Sequence, residues 1–309
     1  AGNTCLLKHA SNVPGCAIFL EDIFTKAGFP AGVFQTLLIG VSKVEGLLND
    51  DRIMGASVTG SERAGSAVAA TCGKVIKPCV LELGGADPFI AMPSADLDTA
   101  IDHAITGRMR NNGQSCIAAK RLIVHADIYD AFKAGFMARL NDIVIGDPLA
   151  STTDMGPLSS KRALEETQAL LDTAIAQGAV PTSGQQNLPE TGYFLRPGIL
   201  EGVTKDMDIY GQEIFAPVAM LFKVKDLSEA IALANDTSLG LSSVLFSKDE
   251  TEHICAIAEL DAGSTYINRY ASSDIRFPFG GIKKSGFGRE KGLEGLEAYT
   301  RTKSIAFAV

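Results

Sequence analysis

The chain has 309 residues, 46% hydrophobic and 21% charged, which fits a soluble globular protein of two domains whose core needs neither disulfides nor metals. A formal net charge of -8 disfavours a nucleic-acid partner, because an acidic surface repels phosphate backbones. No apolar run reaches the ~18 residues of a membrane span, and the start AGNTCLLKHA has neither signal-peptide regions nor an initiator Met, so a processed or truncated chain is expected.

In chain order, residues 4–7 read as a strand, 15–27 as a helix, 33–39 as a strand, 41–48 as a helix and 53–58 as a strand. A helix over 60–73 and a strand over 80–83 follow. This β-α alternation predicts a parallel sheet covered by helices. Leu97, Ile101, Ile105 and Met109 lie four apart and share one helix face, as do Phe132, Phe136 and Leu140. Residues 121–124 are strand-like. Later come a helix over 227–235, a strand over 242–246, a helix over 250–260 and a strand over 264–268. Pro148, Pro157, Pro181, Pro189 and Pro197 are assigned to loops. The predicted fold is α/β, with part of a Rossmann-type, nucleotide-binding domain over 1–84, a second α/β domain over 85–285 and a tail over 286–309. That tail is expected to return across the first domain or to reach a neighbouring subunit.

Six cysteines lack C-x-x-C spacing and only four histidines are present, so no metal is expected and a reducing cytoplasm is the natural compartment. Cys116 follows Asn111, Asn112, Gly113, Gln114 and Ser115. A glycine and small polar residues after a helical stretch imply an irregular turn, which can expose the thiol and aim backbone N–H groups at it to favour the thiolate. The same residue also fits a buried, inert thiol. Glu82 stands between Leu81 and Leu83, before Gly84 and Gly85. A carboxylate at the end of a buried strand needs a role or a partner, and burial raises its pKa toward that of a general base; a solvated strand end is the alternative. Val58, Thr59, Gly60 and Ser61 join a strand to a helix start, which is a phosphate site or an ordinary helix cap.

Four segments together, residues 81–85, 113–116, 213–217 (EIFAP) and 278–290 (PFGGIKKSGFGRE), resemble the signatures of the aldehyde dehydrogenase superfamily. They stand in that family's order and spacing, and the likeness is greatest to its bacterial succinate-semialdehyde dehydrogenases. The resemblance implies that Cys116 attacks an aldehyde carbon and that Glu82 activates the water that hydrolyses the resulting thioester. It implies an NAD(P)+ cofactor held by Lys8, Gly60, Ser61, Glu213 and Phe215, with Gly280 and Gly281 shaping the adjoining loop. Ser11, where NAD users often carry Glu, implies that NADP+ is tolerated or preferred, since Ser donates to a 2′-phosphate that a carboxylate repels. Arg110, six residues before Cys116, and Ser272 or Ser273 are implied to hold a substrate carboxylate; as a bland alternative, Arg110 is a helix C-terminal cation. A homo-oligomer, dimer or tetramer, is implied as well. The family carries about 150 or more residues ahead of the point matching Ala1, including an oxyanion-hole Asn, so a fragment of an enzyme is expected, with a non-catalytic binding module as the alternative.

Overall fold

The fold, described for residues 1–308 by a computed structural model, starts with short parallel pairs linked by helices. β1 (Cys5–Leu7) leads through α1 (Pro14–Lys26) to β2 (Phe34–Thr36), its parallel partner. A 3-10 turn (Val41–Lys43) and α2 (Val44–Leu48) precede β3 (Ala56–Thr59), α3 (Glu62–Lys74) and β4 (Cys79–Glu82). Ser61 caps α3 by accepting from the Ala64 N–H, as a hydroxyl does where extended backbone turns helical. β3 and β4 are parallel. The single parallel sheet expected for this part is instead two separate sheets, β1-β2 and β3-β4, and β4 gives its second edge to an antiparallel strand arriving from the far end of the chain.

After β4 come β5 (Pro88–Ala91), α4 (Leu97–Met109), β6 (Arg121–His125), α5 (Tyr129–Asn141), α6 (Lys161–Ala176), β7 (Val180–Ser183), β8 (Gly198–Glu201) and β9 (Val218–Val224). The chain continues through α7 (Leu227–Asn235), β10 (Leu239–Gly240), β11 (Ser242–Phe246), α8 (Glu250–Glu259) and β12 (Ser264–Ile267). It closes with β13 (Ile282–Lys283), β14 (Gly286–Phe287) and α9 (Gly292–Glu297). A seven-stranded sheet runs β12-β11-β5-β6-β9-β8-β7 and is parallel except at β7. Pro181, expected in a loop, lies inside β7. An edge strand tolerates a residue that cannot donate to the ladder.

Alternation along the central strands divides the core. Phe89, Leu122, Val244 and Phe246 face α4 and α5, where Ile101, Phe132, Phe136 and Leu140 cover them. Ile90, Ile123 and Leu245 point the other way, onto Ala230, Ile231 and Ala256 of α7 and α8. Both predicted helix faces therefore meet this sheet. Each fully buried apolar side chain contributes about 1.5–3 kcal/mol. α6 escaped the sequence reading because its buried face, Thr167, Leu171 and Ala174, contains a polar residue and a small one. Among the described residues no helix is long and apolar enough to cross a membrane.

Candidate active site

Glu82 ends β4, in register with Thr59 of β3 and Gly286 of β14. It is 3% exposed, and neither carboxylate oxygen has a hydrogen-bond partner among the described residues. Burial pushes its pKa up to about 7, helped by Glu290 and opposed by Arg289 and Lys291. A Cβ at Gly280 would stand 2.6 Å from Oε1 of Glu82, so the returning loop passes directly over the acid. Ser285 fixes that return: its carbonyl accepts from Leu83 N–H at 2.9 Å and its hydroxyl donates to Gly84 O at 2.6 Å.

The two glycines after Glu82 permit close approach to two other segments. A Cβ on Gly84 would lie 2.3 Å from a Glu213 carboxylate oxygen, and one on Gly85 would lie 2.6 Å from the Cys116 carbonyl. The acid and the thiol, 34 residues apart in the chain, are thus joined through a single bend.

Cys116 follows α4 and a 3-10 turn over Arg110–Gly113 in which Asn111 (φ 53°), Asn112 (φ 58°) and Gly113 (φ 69°) are all left-handed. Asn tolerates this conformation better than most residues. Its side chains also hold the turn: Asn111 Nδ2 donates to Gln114 O at 2.9 Å, and Asn112 Nδ2 to Pro157 O at 2.6 Å. At Gly113 a Cβ would stand 2.4 Å from Ala216 O. Gly113→Ala is expected to destabilise the fold by about 2–4 kcal/mol, combining a left-handed φ with a backbone clash; urea unfolding measures it, and a change below ~0.5 kcal/mol would contradict the tight packing.

The expected irregular turn is present, but the ready thiolate is corrected. Cys116 is half-buried, and burial pushes its thiol pKa up. The Lys120 charge and the Ile117 N–H pull it down, while Asp87 and Glu213 push it further up. Desolvation outweighs the amide dipole here.

Four buried charged residues escaped the sequence reading: Asp87, Arg108, Lys120 and Arg121. Lys120 donates to Ser115 O at 2.7 Å and pairs with Glu213 at 2.9 Å. Asp87 accepts from Ser242, and burial lifts its pKa to about 6. Arg108 donates to Ile214 O at 2.7 Å and also to Ala216 O, anchoring the segment that carries Glu213. Arg121 donates to Ala86 O and to the last carbonyls of α7, Leu233 O and Ala234 O. The available signal was the one that picked out Glu82: charges set beside apolar runs, such as Lys120 and Arg121 before Leu122, Ile123 and Val124.

A cleft of about 340 Å³ opens beside the Cys116 turn, lined by Arg110, Ser115, Ile117, Tyr270, Ser272 and Ser273, among others. Arg110, Ser272 and Ser273 are therefore brought together, with lining residues on both sides of Cys116 but not Cys116 itself. Glu82 does not line this cleft. Arg269 donates to Ser272 Oγ at 2.6 Å and Lys291 donates to Ser273 Oγ, so two more cations stand behind the serines.

Of the residues assigned to a dinucleotide, Glu213 also accepts from the Gly85 N–H at 3.2 Å. Phe215 is 45% exposed, which excludes the plain core role open to a phenylalanine. Gly60 and Ser61 are exposed at the α3 N-terminus, and Gly60 N–H donates to Glu82 O at 3.0 Å. Lys8 follows β1, with its ammonium on His9 O at 2.6 Å, and Ser11 is exposed in the next turn.

Comparison with known proteins gives the family. The aldehyde dehydrogenase family model matches residues 1–305. The chain is 48% identical over 305 residues to succinate-semialdehyde dehydrogenase [NADP(+)] 1 of Mycobacterium ulcerans, covering 99% of this chain and 67% of that protein. It is also 48% identical over 308 residues to the enzyme of the same name in Mycobacterium tuberculosis strain H37Rv, covering 100% and 67%. Among solved structures, one described as giving insight into cofactor and substrate selection by Gox0499 superposes with a TM-score of 0.97 at 42% identity, covering 100% of this chain and 68% of that one. Succinic semialdehyde dehydrogenase from Streptococcus pyogenes, in complex with NADP+, gives 0.94 at 38% identity, covering 96% and 66%. The chain thus spans about two thirds of the length of these relatives. Sequence, fold and matched length agree: the chain belongs to the aldehyde dehydrogenase family.

Proposed function

We propose that this protein oxidises a short acidic aldehyde, succinate semialdehyde, to the carboxylic acid with NADP+, using Cys116 as nucleophile and Glu82 as general base. The observation that carries the reading is Glu82: a buried carboxylate with no hydrogen-bond partner among the described residues and a pKa pushed up to about 7, one glycine bend from the Cys116 backbone. A group titrating near working pH is suited to take and release a proton.

The residues assigned to the dinucleotide fit such a group. The exposed start of α3 presents backbone N–H groups, with helix dipole, to phosphate. Lys8 and Ser11 supply donors, and no Asp or Glu stands in the sequence before Glu21 to repel a 2′-phosphate; Glu213 can accept from ribose hydroxyls. Bound there, the dinucleotide supplies a hydride acceptor. The chain does the rest. Cys116 Sγ adds to the carbonyl carbon to form a thiohemiacetal, and oxidation at that carbon leaves a thioester on the sulfur. Glu82 then takes a proton from the water that opens the thioester, releasing the acid and restoring the thiol. The NADP+ assignment draws on the names of the mycobacterial relatives as well.

Substrate choice rests on the cleft. Arg110 offers a planar fork for a carboxylate, and Arg269 and Lys291 add positive charge behind Ser272 and Ser273. Arg110→Ala is expected to raise KM for succinate semialdehyde about 10- to 100-fold, the worth of a charged hydrogen-bond pair, with little change for a neutral aldehyde of similar length. Initial rates of cofactor reduction decide it. Faster wild-type turnover of long neutral aldehydes would reject the acidic substrate, and an equal loss for acidic and neutral aldehydes in Arg110→Ala would favour a dehydrogenase of another short aldehyde. A catalytically silent binding module is the second reading, favoured by the raised Cys116 pKa. A burst of reduced cofactor with aldehyde would reject it.

We further infer a cytoplasmic homo-oligomer, supported by the exposed Leu293, Leu296, Tyr299, Ile305 and Phe307 of the tail, and a division into 1–84, 85–285 and a tail that reaches back over the first part. The Asn3 amide donating to Tyr299 O at 2.7 Å supports that return.

A further inference from the structure

Lys120 has no exposed side-chain surface, and an ammonium is stable in that position only when its charge and all its donors are compensated. It reaches Ser115 O at 2.7 Å, Cys116 O at 2.5 Å and Glu213 Oε1 at 2.9 Å. The Lys120 main chain is fixed to the large sheet by its N–H on Asp87 O at 3.1 Å. Glu213 in turn accepts from Gly85 N–H. One cation therefore ties together the turn bearing Cys116, the segment bearing Glu213 and, through Glu213, the bend after Glu82.

We propose that Lys120 is a positioning residue: it clamps the Cys116 peptide to the Glu213 carboxylate and supplies the cationic neighbour of the Cys116 sulfur. The proposal rests on the reading of Cys116 as nucleophile. The charged groups acting on that sulfur are Lys120 on one side of the balance and Asp87 and Glu213 on the other, with the Ile117 N–H donating to it. Without Lys120 the two carboxylates act on a half-buried thiol against the Ile117 N–H and no cation among the groups that act on it, and two backbone carbonyls lose their donor.

The test is labelling of Cys116 by iodoacetamide as a function of pH in the full-length protein. Mass spectrometry of the peptide locates the label, and circular dichroism confirms folding. Since the thiolate is the species that reacts, one pH unit in its ionisation midpoint is about tenfold in rate below that midpoint. Lys120→Met is expected to slow labelling at neutral pH about tenfold, and Lys120→Arg to restore it to within about threefold of wild type. Glu213→Gln removes an opposing anion and keeps the lysine, so labelling should quicken a few-fold. A purely structural lysine predicts the opposite sign for Lys120→Met, because a loosened turn exposes the sulfur and speeds labelling. Unchanged or faster labelling in Lys120→Met overturns the proposal. Should that variant not fold, Lys120→Gln, whose amide can still donate to the Ser115 and Cys116 carbonyls but carries no charge, decides with the same two outcomes. Labelling is read without substrate, so persistent aldehyde oxidation in Cys116→Ser would sink the nucleophile reading separately.

Discussion

Replacing Cys116 by serine is expected to lower aldehyde oxidation by on the order of 10⁴-fold or more, the scale seen when a covalent nucleophile is removed, while NADP+ binding stays within about twofold. The reasoning is chemical. The thioester route needs a soft nucleophile that is also a good leaving group, and a hydroxyl is neither at neutral pH. The substitution is also structurally mild. The Cys116 carbonyl, which accepts from Lys120, is main chain and stays in place, and the turn is held by Asn111, Asn112 and Gln114. Steady-state rates with succinate semialdehyde, beside a fluorescence titration with NADP+, separate the two effects. Parallel loss of both would indicate a misfolded variant and remove the support for a nucleophile at this position.

Glu82→Gln is expected to slow turnover by about 10²- to 10⁴-fold, the usual worth of a general base, with an unequal effect on the two half-reactions. The first, at Cys116, leaves one reduced cofactor per site as a burst. The second, hydrolysis, stalls because no group takes the proton from water. Rapid-mixing absorbance reads both, and equal slowing of burst and steady state would contradict the assignment. The wild-type rate should rise with pH through about 7, as Glu82 loses its proton; in the variant this limb should vanish.

Glu82 also couples pH to stability. Its pKa moves from the ordinary 4.5 up to about 7 in the folded protein, so the native state holds the proton more tightly than the unfolded state. The stabilising contribution is complete below about pH 4.5 and is lost as pH rises through about 7. Above pH 7 the buried carboxylate, without a hydrogen-bond partner among the described residues, therefore destabilises the fold, and Glu82→Gln should be the more stable protein there by urea unfolding. A gain in stability with a loss of turnover is what a strained functional group produces.

Much of this was legible in the order of residues. The helix starting after Asp96, the strand over Arg121–His125 and the α7–β11–α8–β12 run follow from apolar periods of 3.6 and 2, which any window of sequence displays. Glu82 could be singled out because a carboxylate between two leucines violates the local pattern. The glycines beside it were legible as places of close approach, but not what they approach. β8 and β9 were missed because their apolar runs follow Pro197 and Pro217, whose turn signals masked the strands.

The sequence by itself determined the elements with a clear apolar period, the faces they turn inward and the family motifs present, because these depend on neighbours within a few residues. Tertiary structure alone decided the electrostatics of the site. β14 returns some 200 residues after β4 to lie beside Glu82, Lys120 just before β6 reaches Glu213 in the segment leading to the neighbouring β9, and Asp87 meets Ser242 in the interior. Whether a thiol ionises or a carboxyl holds its proton depends on the charges and water within a few ångströms, and folding, not chain order, selects those neighbours.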